Sequence, residues 1–252
     1  MGILQFGRKK EVPACFPPGR VGYAVGDIHG RADLLARMFD RLERDVRPTG
    51  DASPIVVFLG DYVDRGPDSA EVIDLLLTGR PEGFERRFLK GNHEAAMLAF
   101  LEDPVANRGW LSHGGLETLA SYNVRPLPSL GASGEEVAEA GASLRSRLPV
   151  QHRRFLEALE RYVVLGDYCF AHAGVDPTRK LEAQSDADLF WIRGRFLEDR
   201  RRLPYKVVHG HTPVTAPYRD ERRIGLDTGA YFSGALSAAR FCDTAVDFLG
   251  VR

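Results

Sequence analysis

The apolar run Ile55-Val56-Val57-Phe58-Leu59 stops abruptly at Gly60-Asp61-Tyr62-Val63-Asp64-Arg65-Gly66. Pro54 and Gly60 bound the run, which is mostly β-branched. Such a run reads as a strand buried on both faces, and the glycine marks its end. Two carboxylates and a guanidinium therefore leave the C-terminal end of a buried strand together. Ligand sites of α/β sheets lie at that edge. Standing alone, the stretch also reads as a polar turn with Asp64 and Arg65 as surface charges.

Four further stretches repeat the pattern. Val21–Val25 runs into Gly26-Asp27-Ile28-His29-Gly30, and Arg86–Lys90 into Gly91-Asn92-His93-Glu94. Tyr168–Ala171 runs into His172-Ala173-Gly174, and Tyr205–Val208 into His209-Gly210-His211-Thr212-Pro213. Chance accounts for one Gly-Asp or Gly-His pair but not for this repetition at strand ends. Asp, Asn and His offer oxygen and imidazole donors suited to Mn, Fe or Zn rather than Ca. A bridging carboxylate can hold two such ions roughly 3.5–4 Å apart, where they stabilise both the attacking and the leaving oxygen of a displacement. Glycines let the backbone crowd close to ions and phosphate.

Between these stretches the apolar spacing is helical. Leu34, Leu35, Met38, Phe39 and Leu42 make one face of a helix over about 31–46. A second helix begins at Pro67-Asp68-Ser69 and buries Val72, Ile73, Leu75 and Leu76; a third begins near His93-Glu94 with Met97, Leu98 and Leu101 inward. Strand–helix alternation gives the class α/β. From about 104 to 162 no strand carries a motif, and the pattern predicts a helical insertion beside the site, with helices over about 135–148 and 151–162. His113 in this region reads as packing or surface. Residues 20–252 read as one domain after a flexible lead-in over 1–19, rich in basic residues and proline.

Composition excludes several classes. A net charge of −1 leaves no footprint for bulk nucleic-acid binding. There is no long apolar segment to suggest a membrane span or a secretory signal. Met1-Gly2 opens like a myristoylation signal, but Phe6 stands where Ser or Thr is required. The 3 cysteines, Cys15, Cys169 and Cys242, are unpatterned, and Cys169 and Cys242 sit in apolar runs as buried thiols. That suits a reducing, cytoplasmic setting.

Together GDIHG, GDYVDRG, GNHE, HAG and GHT resemble the ordered motifs of the calcineurin-like metallophosphoesterases, from about Val21 to about Ala239. The VDRG and GNHE forms resemble the phosphoprotein phosphatase branch, especially its compact bacterial and phage members. The resemblance implies two packed mixed β-sheets flanked by helices. It implies two divalent metals, with Mn²⁺ first and Fe or Zn as alternatives: Asp27 and His29 on one, Asp61 bridging, and Asn92, His172 and His211 on the other. His209 falls outside that set. It further implies a metal-activated water as nucleophile and Arg65, Arg193 and Asn92 on the phosphate. His93 would be the general acid, with Asp64 as its partner. The implied substrate is a phosphoserine or phosphothreonine protein. Symmetrical dinucleoside tetraphosphatases are the small-phosphoester alternative, but commonly carry Ala at Asp64 and Asp at Glu94. A non-catalytic phosphopeptide-binding module is a second alternative, disfavoured by the complete ligand set.

Overall fold

The computed structural model describes residues 13–46, 53–127 and 131–252. The chain runs β1 (Arg20–Val25), α1 (Ala32–Val46), β2 (Ser53–Phe58), α2 (Ser69–Leu77), β3 (Glu85–Phe88) and α3 (Asn92–Glu102). The inserted region follows: a 3₁₀ turn at Arg108–His113, then α4 (Gly115–Ser121), α5 (Gly134–Arg147) and α6 (Val150–Glu157). Next come β4 (Tyr162–Leu165), β5 (Tyr168–Ala171), α7 (Asp186–Trp191), α8 (Gly194–Glu198) and β6 (Lys206–His209). The chain closes with β7 (Tyr218–Arg219), β8 (Arg223–Gly225), α9 (Ala230–Ser233), β9 (Leu236–Cys242) and β10 (Ala245–Val251).

Among the described residues the strands form two 5-stranded sheets, ordered β10-β9-β1-β2-β3 and β4-β5-β6-β8-β7. β1, β2 and β3 are parallel, and so are β5, β6 and β8; the remaining pairs are antiparallel. Both sheets are mixed and helices flank them, as the motifs imply.

Two-residue periodicity decides which side chains go where. On β2 and just past it, Ile55, Val57 and Leu59 enter the core shared with Phe170, Val208, Ile224 and Phe241 of other strands. Val56 and Phe58 face the other way, into a core with Leu35, Met38 and Phe39 of α1. On β5, Tyr168 and Phe170 turn inward while Cys169 and Ala171 pack with Phe190 and Phe196. Each buried side chain of this size stabilises the fold by about 1.5–3 kcal/mol. Burial also pushes the Cys169 thiol up to about 12, leaving it inert. Cys242, expected to be buried, is only partly so.

The expected lead-in behaves differently at its end. Phe16 is 1% exposed, with rings of Phe241 and Tyr168 at 5.8 and 6.3 Å. A lone aromatic among prolines carries no periodic signal, so its docking is invisible in sequence. Residues 1–12 lie outside the described ones. The helix expected over 151–162 ends at Glu157, where the chain turns so that Glu160 bridges Leu89. No helix among the described residues is long and apolar enough to cross a membrane.

Candidate metal centre

The five motif loops leave the C-terminal ends of β1, β2 and β3 in one sheet and of β5 and β6 in the other, and their side chains meet between the two. Two of these loops are stitched together by backbone. The N–H groups of Ile28 and His29 donate to the Asp61 carbonyl, and that of Gly30 donates to Tyr62. Glu94 is fully buried and accepts N–H groups from Asp61 (2.9 Å), Tyr62 (2.7 Å), Val63 (3.2 Å) and Gly91 (2.9 Å). Its carboxylate is thus occupied in shaping the Asp61 loop. His29, Asp61, Asp64, Arg65 and His211 all adopt left-handed backbone, with φ of 47°, 51°, 73°, 70° and 63°. Two glycines permit close approach. A Cβ on Gly91 would lie 2.1 Å from Asp61 Oδ1, and one on Gly210 would lie 1.9 Å from Asp27 Oδ1.

Asp61 is the hub. Its Oδ1 faces His172 Nε2 at 3.4 Å, and its Oδ2 faces His29 Nε2 at 3.5 Å. His172 Nε2 is also 3.0 Å from Asn92 Oδ1. Donors at right angles on one ion, with bonds of about 2.1 Å, lie about 3 Å apart. One carboxylate whose two oxygens address different imidazoles is the arrangement a bridging ligand requires. Second partners orient the rings: His29 Nδ1 pairs with the Val63 carbonyl (2.9 Å) and His172 Nδ1 with Leu59 (2.8 Å). This leaves Nε2 as the donor atom in each. Asp27 Oδ1, His29 Nε2 and His211 Nε2 are buried without a hydrogen-bond partner. Buried polar atoms are rarely left so. The donor set therefore fits a pair of divalent cations, which between them would satisfy all three atoms.

The grouping differs in one respect from that implied by resemblance. The compact trios are His29–Asp61–His93 and Asp61–His172–His211, with His93 in the place given to Asp27. His93 is already engaged at both nitrogens, by Asp64 Oδ2 at 2.6 Å and Arg65 Nη2 at 3.1 Å. Asp27 accepts the His211 N–H at one oxygen (2.9 Å) and keeps the other free.

Asp64 is seated by groups that sequence reasoning missed. Trp110 Nε1 donates to Oδ2 at 2.8 Å and Thr118 Oγ1 to Oδ1 at 2.6 Å, both from the helical insertion. Nothing in the local spacing of Trp110 or Thr118 signals this. Arg65 stacks over the Tyr231 ring at 5.0 Å. Arg193 is exposed, and its Nη1 meets Thr212 Oγ1 at 3.3 Å. His113 lies on the surface. His209 is buried against Phe196 (rings 5.2 Å apart), and burial lowers it to about 4. Asp227 is 2% exposed and near Asp27 and Asp61. Its Gly-Leu-Asp-Thr-Gly context after β8 repeats the strand-then-carboxylate pattern and could have marked it.

The site's electrostatics follow from carboxylates and imidazoles packed together out of water. Burial lowers His29 and His211 to about 3 each, so both are neutral lone-pair donors. Burial and then Asp227 hold the Asp27 carboxyl well above its usual range. Burial would raise Asp61 as well, but His172, His93 and His29 hold it well below. Against burial, Asp61 draws His172 up to about 10. Burial and Asp61 push Glu94 up to about 7, opposed by His172 and the backbone donors. Against burial, Asp61 and Asp64 raise the His93 imidazolium above its ordinary range.

A family model described as calcineurin-like phosphoesterase matches residues 23–244. This chain belongs to the calcineurin-like phosphoesterases. It is an enzyme of that hydrolase family, whose members work with a binuclear metal centre. Among curated proteins, this phosphoesterase is 29% identical to the asymmetrical bis(5'-nucleosyl)-tetraphosphatase PrpE of Bacillus subtilis, over 86% of this chain and 89% of that one. It is 30% identical to the PrpE of Bacillus velezensis, over 86% and 87%. Among solved structures, a candidate diadenosine tetraphosphatase superposes with a TM-score of 0.61 at 20% identity, over 96% of this chain and 99% of that one. A Saccharomyces cerevisiae protein serine/threonine phosphatase superposes at 0.53 and 16%, over 93% and 80%. At these identities the structures establish the shared fold, which hosts both substrate classes.

Proposed function

We propose that this phosphoesterase hydrolyses dinucleoside polyphosphates, with a dinucleoside tetraphosphate as the type substrate and Mn²⁺ as the cation. The observation that carries the reading is the near full-length similarity to the PrpE tetraphosphatases. An asymmetrical split of four phosphates yields one and three. Water and the dinucleoside tetraphosphate would give a nucleoside monophosphate and a nucleoside triphosphate.

This displaces the phosphoprotein substrate implied by the motifs. That expectation leaned on Asp64 and Glu94, and both carboxylates are spent inside the protein. Glu94 holds the backbone of the Asp61 loop, and Asp64 is enclosed by His93, Trp110 and Thr118. Neither is free to select between a peptide and a nucleotide.

Asp27, His29 and Asp61 would hold one cation, and Asp61, Asn92, His172 and His211 the other. Such a pair supplies Lewis acidity and makes water nucleophilic near neutral pH. Arg65 and Arg193 would take phosphate oxygens, since a guanidinium fits them in bidentate fashion. His93, steadied through Nδ1 by Asp64, would give a proton from Nε2 to the departing oxygen once Arg65 turns from that nitrogen to the phosphate. Arg193→Ala is expected to raise KM roughly 10–100-fold with metal content unchanged, because a charge-assisted hydrogen bond contributes about 1.5–3 kcal/mol. Arg65→Ala should also disturb His93, which it touches, so kcat falls too. Steady-state kinetics beside elemental analysis checks both, and an unchanged kcat/KM in Arg193→Ala would remove it from the site.

The substrate is tested by chromatographic product analysis of a dinucleoside tetraphosphate beside a phosphoserine peptide. The expected result is at least about tenfold higher kcat/KM on the dinucleotide, with monophosphate and triphosphate appearing in equal amounts. Faster peptide turnover, or two nucleoside diphosphates, would overturn the reading.

A further inference from the structure

Two adjacent aromatic rings beside the metal centre have no part in the roles assigned so far. Tyr231 and Phe232 lie on the short helix α9 and are 37% and 63% exposed. Scattered exposed apolar residues need no explanation. These two are consecutive, touch each other, and one touches the site. Their rings meet edge to face at 4.9 Å and 84°. Tyr231 meets the candidate ligand His29 at 5.5 Å and 80°, and the Arg65 guanidinium sits 5.0 Å from its centroid. One surface thus runs from a cation ligand, through a phosphate-binding guanidinium, to an open aromatic ring.

The backbone holds that ring in place. Gly229 has φ of 66°, and a Cβ there would lie 2.1 Å from two atoms of the Phe232 ring. Phe232 therefore folds back over Gly229, in the loop that also carries Asp227, whose Oδ1 accepts the Gly229 N–H at 2.8 Å. The ring is tied to the floor of the site although most of its surface faces solvent.

We propose that Phe232, backed by Tyr231, is the stacking platform for a nucleobase whose 5'-phosphate lies at the metal centre. The proposal rests on the nucleotide reading of this same site. A nucleotide places phosphate, sugar and base in sequence, so its base belongs one group beyond the groups that take its phosphate. Phe232 lies one ring beyond His29 and Arg65. Aromatic stacking accepts any base, because every base has a π-face. The platform therefore supplies affinity for the nucleoside without choosing between adenine and guanine. Tyr231 is committed to Arg65 and His29, so it supports the edge of Phe232 and keeps the guanidinium turned toward the phosphate.

Equilibrium binding of two small phosphates by calorimetry tests this on the Mn²⁺-loaded protein. AMP and ribose 5-phosphate share the phosphate and sugar and differ by the base. Wild type is expected to bind AMP about tenfold more tightly, the scale of one base stacked on one ring. Phe232→Ala should bring the two affinities within about twofold, and Phe232→Trp should keep or widen the gap. Ribose 5-phosphate affinity reports whether each variant retains a folded phosphate site. Equal wild-type affinities, or a gap that survives in Phe232→Ala, would overturn the proposal. Should Phe232→Ala fail to fold, loss of the gap in Phe232→Trp would overturn it as well. The readout involves no turnover. Preference for AMP without dinucleotide hydrolysis would sink the proposed substrate and keep the platform; hydrolysis without that preference would do the reverse.

Discussion

Asp61→Asn is expected to abolish measurable turnover and to weaken both cation sites at once. Its two oxygens face His172 and His29 at 3.4 and 3.5 Å, so a single substitution reaches both halves of the centre. The amide keeps the shape, removes the negative charge and turns one acceptor into a donor. Losing a partner that only orients a ligand costs about 10–100-fold in affinity or activity. Losing the shared ligand should cost more, at least about 10³-fold in kcat/KM. The fold should survive, because Glu94 grips the loop through backbone N–H groups that the substitution leaves in place. Elemental analysis after dialysis and a thermal melt make the test. A variant that keeps two cations and near-normal rates would show that Asp61 does not bridge.

The second large effect depends on the leaving group. A serine leaves as an alkoxide, a strong base that needs a proton as it departs. A nucleoside triphosphate leaves through a phosphate oxygen, whose conjugate acid has a pKa of about 6. General acid catalysis contributes about 10²–10⁴-fold where the proton is needed. His93→Asn should therefore cost about 10²–10⁴-fold on an alkyl phosphate monoester such as a phosphoserine peptide. On a dinucleoside tetraphosphate it should cost no more than about tenfold. The decisive quantity is the ratio of the two losses in one protein with its cations still bound. Equal losses would mean that His93 acts on the phosphate or the nucleophile, and the proton would have to come from elsewhere.

Much of the candidate centre was legible because its polar residues obey one local rule. Asp27, Asp61, Asn92, His172 and His211 each follow closely on a strand, and within each sheet the parallel strands deliver their C-terminal ends to the same side. The layers were legible for a similar reason: Leu34, Leu35, Met38, Phe39 and Leu42 keep helical spacing, and all are buried. What escaped notice depends on contacts between distant segments. Trp110 and Thr118 reach Asp64 across 46 and 54 residues, with nothing in their neighbours to announce it. Phe16 docks without a periodic pattern, and β10 completes the first sheet as an edge strand, partly exposed and so only weakly patterned. Substrate choice was the least legible. Asp64 and Glu94 look like its markers in the sequence, although the fold uses both to hold its own loops.

The left-handed backbone at His29, Asp61, Asp64, Arg65 and His211 sets the site against its own chain. Each such residue with a side chain costs about 1–3 kcal/mol. Together they approach the whole net stability of an ordinary protein, about 5–15 kcal/mol. Backbone conformation alone favours glycine at every one of them. The retained side chains are thus a standing frustration that the surrounding hydrogen bonds must outweigh. It gives a rule for engineering: at His29 and His211, whose buried Nε2 atoms have no partner, substitution to glycine should make the chain easier to fold and poorer as a catalyst, so a search for hardier variants that ignored activity would erode this edge first.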